Sequence, residues 1–295
     1  MRGIRHSALA WLLTLIAAAA FSFAAASPRI TAQQQQRIIA AQVARMPPRV
    51  PGRANVFFVG FAGYGEQHVF RREAERARRV FAERFGSMSR SLELVNDVRD
   101  RSTYPLATFD NLAYALELIG RRMDPSEDVL VLVLTSHGSP DDGLAITNGK
   151  LVDDALSPKD VRDVLARAHV RWRIIVASAC YAGIFIRPLE TDTSLIMTAA
   201  DSRHSSFGCA DDRDLTDFGE ALFKDAMPGT CSLEDAFVRA RRIIRERERD
   251  EGEIHSNPQI FVGARMRAKL AALARHELPQ AQSCARAQPA ARLGG

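Results

Sequence analysis

Two kinds of apolar pattern alternate along the chain. Residues 128–135 (DVLVLVLT) and 173–177 (RIIVA) are runs of mostly aliphatic side chains with no polar alternation. Such runs are typical of strands that are buried on both faces of a parallel sheet. Residues 68–85 instead place apolar side chains three and four positions apart, which is the spacing of one face of an α-helix.

These patterns predict six sheet strands separated by helices. The predicted strands are 55–61, 91–95, 128–135, 173–177, 194–198 and 257–262, and the predicted helices are 31–45, 68–85, 108–123, 158–168, 216–226 and 233–250. A hairpin of strands 145–147 and 150–152 is also expected, because Asn148-Gly149 favours a type I′ turn. Strands that alternate with helices imply right-handed crossovers. We therefore expect an α/β fold with a mainly parallel six-stranded sheet that helices cover on both sides.

The N-terminal part of the chain differs from this central region. Residues 1–26 contain basic residues, an apolar stretch and then three alanines, which is the pattern of a cleaved export signal. An uncleaved membrane anchor is the alternative, because the stretch is close to the length that spans a bilayer. Residues 27–53 are polar and rich in proline and predict a linker, so the folded domain is expected to begin near Asn55. The protein is then expected to be periplasmic or secreted.

Charge and cysteine content exclude some classes of function. The chain has 40 Lys and Arg against 35 Asp and Glu. The excess of basic residues lies in residues 1–26 and in residues 264–295. We expect residues 264–295 to form a flexible basic tail. A nucleic-acid-binding protein usually carries its basic stripe on the folded domain, so we expect no nucleic-acid partner. Four cysteines are too few for a disulfide scaffold, although Cys209 and Cys231 could pair in an oxidising compartment.

Two reactive side chains follow the most apolar strands. The run 128–135 leads into His137-Gly138, and the run 173–177 leads into Cys180. Ligands bind beyond the carboxyl ends of such strands, and consecutive strands are often neighbours. An imidazole can take the proton of a thiol, and the N–H groups of Gly138 and Cys180 could stabilise an oxyanion. The alternative is that Cys180 is a buried small apolar residue.

The segments around these residues resemble those of the legumain-like cysteine peptidases (peptidase family C13), which are relatives of the caspases. The resemblance covers roughly residues 54–263. It rests on the segments Phe70–Glu73, Thr135–Ser139 (TSHGS), Ser178–Cys180 (SAC), Thr198–Ala200 and Ser205–Cys209.

The resemblance implies a fold and a chemistry. The fold is a three-layer caspase-like α/β sandwich. Cys180 would be the nucleophile, His137 the general base or acid, and the N–H groups of Gly138 and Cys180 the oxyanion hole. The substrate would be a protein or peptide, and neither a metal nor an organic cofactor would be used.

The resemblance also implies a substrate pocket. Arg71 matches an arginine of the legumain pocket that selects asparagine, Ser205 matches its serine, and Glu220 is a candidate for its later acid. Ser178 stands where legumains have an acid two residues before the nucleophile. The pocket thus keeps a cation and loses negative charge, so we expect weaker selection for asparagine, with aspartate also accepted. The alternative for Arg71 is a solvated helix residue.

Three functions remain open from the sequence. The first is an exported cysteine endopeptidase. The second is a transpeptidase or transamidase that uses the same two residues and resolves the thioester with an amine. The third is a caspase-fold binding module without turnover. A membrane contact is expected only through an N-terminal anchor, and the oligomeric state is left open.

Overall fold

The computed structural model describes residues 31–99, 104–149 and 151–276. The predicted export signal at 1–26 lies outside the described residues, as does most of the predicted basic tail. Its first part forms a helix, Ala264–His276. None of the helices in the described ranges is long and apolar enough to cross a membrane.

A six-stranded sheet forms the centre of the fold, in the order β2-β1-β3-β7-β8-β9. Its strands are β1 (Val56–Ala62), β2 (Ser91–Val95), β3 (Val129–Thr135), β7 (Trp172–Ser178), β8 (Ser194–Thr198) and β9 (Gln259–Val262). Neighbouring strands are parallel except β9, which runs antiparallel to β8. The predicted six-stranded, mainly parallel sheet is therefore confirmed.

Helices cover both faces of this sheet. They are α1 (Ala32–Arg45), α2 (His68–Phe85), α3 (Phe109–Gly120), α4 (Pro158–Arg167), the short α5 (Ile186–Leu189), α6 (Asp217–Gly219), α7 (Leu233–Glu251) and α8 (Ala264–His276). Helix α6 continues as a π-helix, Glu220–Ala226. Side chains of α1, α3 and α4 pack on one face of the sheet, and those of α2, the π-helix, α7 and α8 pack on the other.

The alternation of side chains along each strand explains why the apolar runs have no polar gaps. In β3, Leu130, Leu132 and Leu134 belong to the core beneath α1, α3 and α4. Val129, Val131 and Val133 belong to the core beneath α2 and α7. Successive strand residues point to opposite faces, and both faces are buried here, so every position must be apolar until the strand nears its carboxyl end.

The N-terminal helix corrects one expectation. Residues 27–53 were expected to be a linker before a domain that begins near Asn55, yet Ile39 and Val43 of α1 are buried in the core. Gln35 is buried as well, and its Oε1 accepts a hydrogen bond of 2.7 Å from the amide of Leu106. The packed part of the chain therefore includes α1.

The hairpin beyond β3 also differs from the prediction. A small antiparallel sheet contains β4 (Gly138–Ser139), β5 (Gly143–Thr147) and β6 (Asp153–Leu156). Thr147 pairs with Asp153, where β6 begins, so the described residues 151 and 152 of the predicted second strand, 150–152, are not part of a strand. The loop is closed by a hydrogen bond of 3.0 Å from the Asn148 amide to the Val152 carbonyl, which a two-residue turn would not contain.

Candidate active site

The register of two central strands brings His137 and Cys180 to the same edge of the sheet. The ladder between β3 and β7 ends at the pair Thr135–Ser178, and the Ser136 amide donates a further hydrogen bond of 3.3 Å to the Ser178 carbonyl. His137 and Cys180 each lie two residues beyond that last pair. The expectation that their two strands are neighbours is met, so an imidazole and a thiol occupy adjacent strand ends.

Gly138 lies against the backbone of Cys180. A Cβ atom on Gly138 would be only 2.1 Å from the Cys180 carbonyl oxygen and 3.1 Å from the Ala179 Cβ. No other residue fits there without moving one strand end away from the other. The backbones of the two predicted oxyanion-hole residues are thus in direct contact.

The His137 ring is held by three neighbours from the loop after β1 and from α2. Tyr64 and Phe70 contact it edge-on, with ring centroids 4.5 and 5.1 Å away. The Gln67 Oε1 lies 2.6 Å from His137 Nε2. Because an amide oxygen only accepts, Nε2 carries the ring proton, and Nδ1 remains the nitrogen that can take a proton. Burial of the ring lowers the pKa of His137 below its ordinary value of 6.5, so the imidazole is neutral at neutral pH.

The Cys180 thiol contacts Ser206. The Ser206 amide lies 3.3 Å from Cys180 Sγ and the Ser206 hydroxyl 3.8 Å, while the thiol donates to the Ser206 carbonyl at 3.4 Å. The Ser206 amide and hydroxyl can thus donate hydrogen bonds to the sulfur. The chain turns immediately afterwards, because Tyr181 adopts a left-handed conformation with φ of 57°, and its amide donates to the His204 carbonyl at 2.9 Å.

Asp201 fixes the loop that carries Ser206. Its carboxylate accepts hydrogen bonds from the Arg203 amide at 2.8 Å and the His204 amide at 3.0 Å. The His204 ring and the Asn257 amide group bond to the same carboxylate. Burial raises the pKa of Asp201, but the bonds from Arg203, His204 and Asn257 outweigh it, and the pKa is lowered overall. The loop is therefore anchored before it reaches the thiol.

Arg71, the predicted pocket cation, forms ion pairs with two carboxylates. Its Nε lies 2.8 Å from Asp97 and its Nη1 lies 3.5 Å from Glu75. His68 also bonds to Asp97, at 2.7 Å. About a quarter of the Arg71 side chain is exposed, so its guanidinium lies at the surface with its charge already balanced by acids of the same protein.

The other predicted pocket residues occupy different surroundings. Ser205 donates a hydrogen bond of 3.4 Å to the Tyr181 hydroxyl, close to Cys180 in sequence. Glu220 forms ion pairs with Lys224, Arg213 and Arg247. Ser178 is buried, and its hydroxyl lies 3.3 Å from that of Thr216. Ser178 therefore belongs to the support beneath the strand ends and not to a surface that a substrate could touch.

Three polar residues of the site were missed from the sequence. They are Gln67, which bonds to the His137 ring, Ser206, which contacts the thiol, and Glu73, which is fully buried beneath the strand ends. Gln67 precedes the predicted helix 68–85, so helical spacing does not point to it. Glu73 lies three residues after Phe70 within that helix, a spacing that places both on one face.

Cys209 carries a free thiol, as Cys180 does. The pair of Cys209 with Cys231 is therefore not formed. Burial raises the pKa of Cys209, and the neighbouring Cys180 raises it further, so the Cys209 thiol is protonated at neutral pH.

Comparisons with known proteins were made for the whole chain. The sequence model of the Peptidase C13 family matches residues 121–268, which include His137, Gly138 and Cys180. Among solved structures, the crystal structure of Caspase-1 from Spodoptera frugiperda is similar, with a TM-score of 0.49 and 10% sequence identity. The match covers 74% of this chain and 89% of that one. No curated protein matches the sequence.

Proposed function

The chain belongs to the peptidase C13 family, and on that basis we propose that it is an exported cysteine endopeptidase whose dyad is Cys180 and His137. The observation that carries the proposal is the register of β3 and β7. It places an imidazole and a thiol at neighbouring strand ends, with the Gly138 backbone against that of Cys180. A base within reach of a nucleophile is the arrangement that covalent catalysis requires.

The proposed reaction has two halves. His137 takes the proton of the Cys180 thiol, and the thiolate attacks the carbonyl carbon of the scissile peptide bond. The N–H groups of Gly138 and Cys180 stabilise the oxyanion. His137 then gives its proton to the leaving amine, which departs and leaves a thioester on Cys180. In the second half, His137 activates a water molecule that attacks the thioester, and the free thiol and a new carboxyl terminus result.

The neutral state of the imidazole supports this role. A base must be unprotonated before it can take a proton, and burial lowers the pKa of His137. The bond from Nε2 to Gln67 leaves Nδ1 with its lone pair. Gln67 thereby acts as a positioning residue that fixes both the ring orientation and the tautomer.

We also propose cleavage after asparagine, with aspartate accepted. Arg71 follows Phe70, which packs against the His137 ring, and the resemblance makes Arg71 the cation of the pocket. Ser178, which is buried beneath the strand ends, stands where legumains carry an acid two residues before the nucleophile, so that negative charge is absent here. The test is a peptide library in which only the residue before the scissile bond varies. Cleavage after asparagine alone would contradict this proposal.

Export is the remaining part of the proposal, and it rests on residues 1–26. Fusion of this segment to a reporter should carry the reporter out of the cytoplasm. Mass spectrometry of the exported product should find a new N-terminus near Ser27. A reporter that stays inside would contradict export, and an exported reporter that keeps its full mass would indicate the anchor instead.

The function itself is tested with the purified full chain beside Cys180→Ala and His137→Ala. Each protein is incubated with a diverse peptide mixture under mild reduction, and mass spectrometry identifies the products. We expect cleavage by the wild type and none by Cys180→Ala. A primary amine in a second set of reactions separates hydrolysis from amine transfer. Equal cleavage by the wild type and Cys180→Ala would show that the nucleophile is another residue.

A further inference from the structure

Glu73 of α2 is a fully buried carboxyl group directly beneath the candidate active site. Its Oε2 accepts a hydrogen bond of 3.1 Å from the Thr216 amide and a second, short one from the Thr216 hydroxyl. Thr216 is the N-cap of α6, where its hydroxyl accepts from the Gly219 amide at 2.9 Å. One carboxyl group therefore connects α2 to the start of α6.

The same carboxyl group faces the last residue pair of the central ladder. Thr135 and Ser178 are directly opposite each other at the ends of β3 and β7. The Ser178 hydroxyl lies 3.3 Å from that of Thr216, which donates to Glu73, so the end of β7 is linked to this carboxyl group through Thr216. Burial raises the pKa of Glu73 overall, although the nearby hydroxyls lower it. Side chains on a strand repeat every two residues, so Thr135 and Ser178 point to the α2 face, like Val133 and Val176.

Helix α2 and its N-cap residue, Gln67, thus supply three contacts to the site. Gln67 bonds to the His137 ring and Phe70 packs against it. Glu73 follows one turn later and lies under the strand ends that lead to His137 and Cys180. The first two residues orient the imidazole, and the third holds the backbone from which both catalytic side chains project.

Gly219 leaves the space that Glu73 occupies. A Cβ atom on Gly219 would lie 2.2 Å from Glu73 Oε2 and 2.5 Å from Glu73 Cδ. The φ angle of Gly219 is −62°, so an alanine would be compatible with the local backbone. Its methyl group would conflict with the carboxyl group alone, which makes Gly219 a means of displacing Glu73 without removing it.

A buried acid destabilises a fold unless something compensates for its desolvation. Among the described residues, no cation forms an ion pair with Glu73; its Oε2 is bonded to the amide and the hydroxyl of Thr216, and its Oε1 has no hydrogen-bond partner. We propose that Glu73 is a positioning residue for the dyad. Its carboxyl group ties α2 to the start of α6 and, through the Thr216 hydroxyl, to the end of β7, and so holds Cys180 in place relative to His137. This inference rests on the proposed function, in which those two residues are the dyad.

The test measures the reactivity of the Cys180 thiol, which needs no substrate. Wild type, Glu73→Ala, Glu73→Gln and Gly219→Ala are treated with iodoacetamide across a range of pH, and peptide mapping separates Cys180 from Cys209. Glu93→Gln is the matched control, because Glu93 is a second buried acid on the same face of the sheet and lies on β2, away from His137 and Cys180. The kcat and KM of each protein are measured in parallel with a peptide that the wild type cleaves.

We expect Glu73→Ala and Gly219→Ala to slow alkylation of Cys180 at least tenfold at neutral pH. Their kcat should fall by about 10²-fold, the effect of a misplacement of about 1 Å, with KM little changed. Glu73→Gln should retain most of the reactivity, because an amide oxygen can still accept from Thr216 and its NH₂ group can donate to Ser178. Glu93→Gln should match the wild type.

Wild-type alkylation rates and pH profiles in both Glu73→Ala and Gly219→Ala would overturn the proposal. A loss in Glu73→Gln as large as that in Glu73→Ala would also overturn it, because charge would then matter and not the hydrogen-bonded position. If Glu73→Ala does not fold, the comparison of Gly219→Ala with Glu73→Gln gives the same decision. A wild type that alkylates at Cys180 but cleaves no peptide would count against the proposed function and leave the Glu73 comparison valid.

Discussion

Glu73 and Glu93 are both buried acids on the α2 face of the central sheet, but they lie in regions with different demands. Glu93 is on the outer strand β2, where Arg78 of α2 pairs with it at 2.7 Å. Burial raises the pKa of Glu93 to about 7, although Arg78 lowers it. Glu73 lies under the strand ends that lead to His137 and Cys180 and is held by the amide and the hydroxyl of Thr216.

The difference shows how each region satisfies a buried carboxyl group. At β2, a cation beside the acid does not disturb the charges of His137 and Cys180, because those residues lie at the ends of other strands. Beneath His137 and Cys180, a cation would add charge next to an imidazole and a thiol. Hydroxyl and amide donors hold the acid in place without that effect.

The largest expected effect comes from a pair of glycines, one in each region. Gly138→Ala should lower kcat by at least about 10²-fold, because its Cβ would meet the Cys180 carbonyl oxygen and separate the strand ends. Gly60→Ala lies beside Glu93, where the new Cβ meets only side-chain atoms at 3.2 Å or more. It should keep wild-type kcat. Steady-state kinetics of both variants decide the matter, and equal activities would contradict the close approach at Gly138.

The next effect tests the orientation of the imidazole. Gln67→Ala removes the acceptor for His137 Nε2, so the ring can rotate and change tautomer, and kcat should fall by roughly tenfold to a hundredfold. Gln259→Ala is the control, since the Gln259 side chain is exposed and bonds only to the Asn257 carbonyl among the described residues. Unchanged kcat in Gln67→Ala would show that Tyr64 and Phe70 suffice to hold the ring.

The third effect concerns stability at the outer strand. The Glu93 carboxyl group has a higher pKa folded than its ordinary value of 4.5. The folded state therefore binds more protons, and this group's contribution to stability falls as pH rises from about 4.5 through about 7. Arg78→Leu should raise the folded pKa further and make the fall steeper, by about 1–2 kcal/mol between pH 5 and pH 8.

Urea unfolding at pH 5 and pH 8 measures this difference. Arg121→Leu serves as the control, because Arg121 pairs with Glu117 on the exposed face of α3 and such pairs contribute little. The kcat of Arg78→Leu should equal that of the wild type at pH 8. A loss of stability that is the same at both pH values would show that Arg78 acts through packing and not through its charge.

The smallest effect is a shift in the pH profile of the reaction. Because burial lowers the pKa of His137 below 6.5, the acid limb of kcat/KM should have its midpoint below that value. Gln67→Glu places a carboxylate on Nε2 and should raise the midpoint by about one unit. A midpoint that does not move in Gln67→Glu would contradict the contact between Gln67 and His137.

The fold could be predicted where the apolar pattern of a single segment decides its structure. The run 128–135 is almost wholly apolar, so both of its faces must be buried, and it forms the central strand β3. The loop after β5 could not be predicted, because its geometry depends on a distant residue. The Glu66 carboxylate accepts a hydrogen bond of 2.8 Å from the Gly149 amide. The helix at 31–45 was predicted, but its packing against the core could not be, for a similar reason. Its buried Gln35 accepts a hydrogen bond from the Leu106 amide, which belongs to another part of the chain.

The site was predictable only in its reactive residues. His137 and Cys180 are found because each follows a strand that is apolar throughout, so a polar reactive side chain at its end stands out. Glu73 does not stand out, because an acid within a helix rich in charged residues has the same pattern as a solvated one. Its burial follows from contacts with Thr216 that form only when α2 and α6 meet on the sheet.

The parallel register of β3 and β7 has a consequence for when the protein becomes reactive. Each parallel pair closes a long segment of chain, and contacts of that kind form late in folding. The oriented imidazole depends on α2, the thiol on β7, and their common support on the start of α6. A chain that has not yet completed its sheet therefore lacks the arrangement of His137 and Cys180, because the strand ends that carry them are not yet paired.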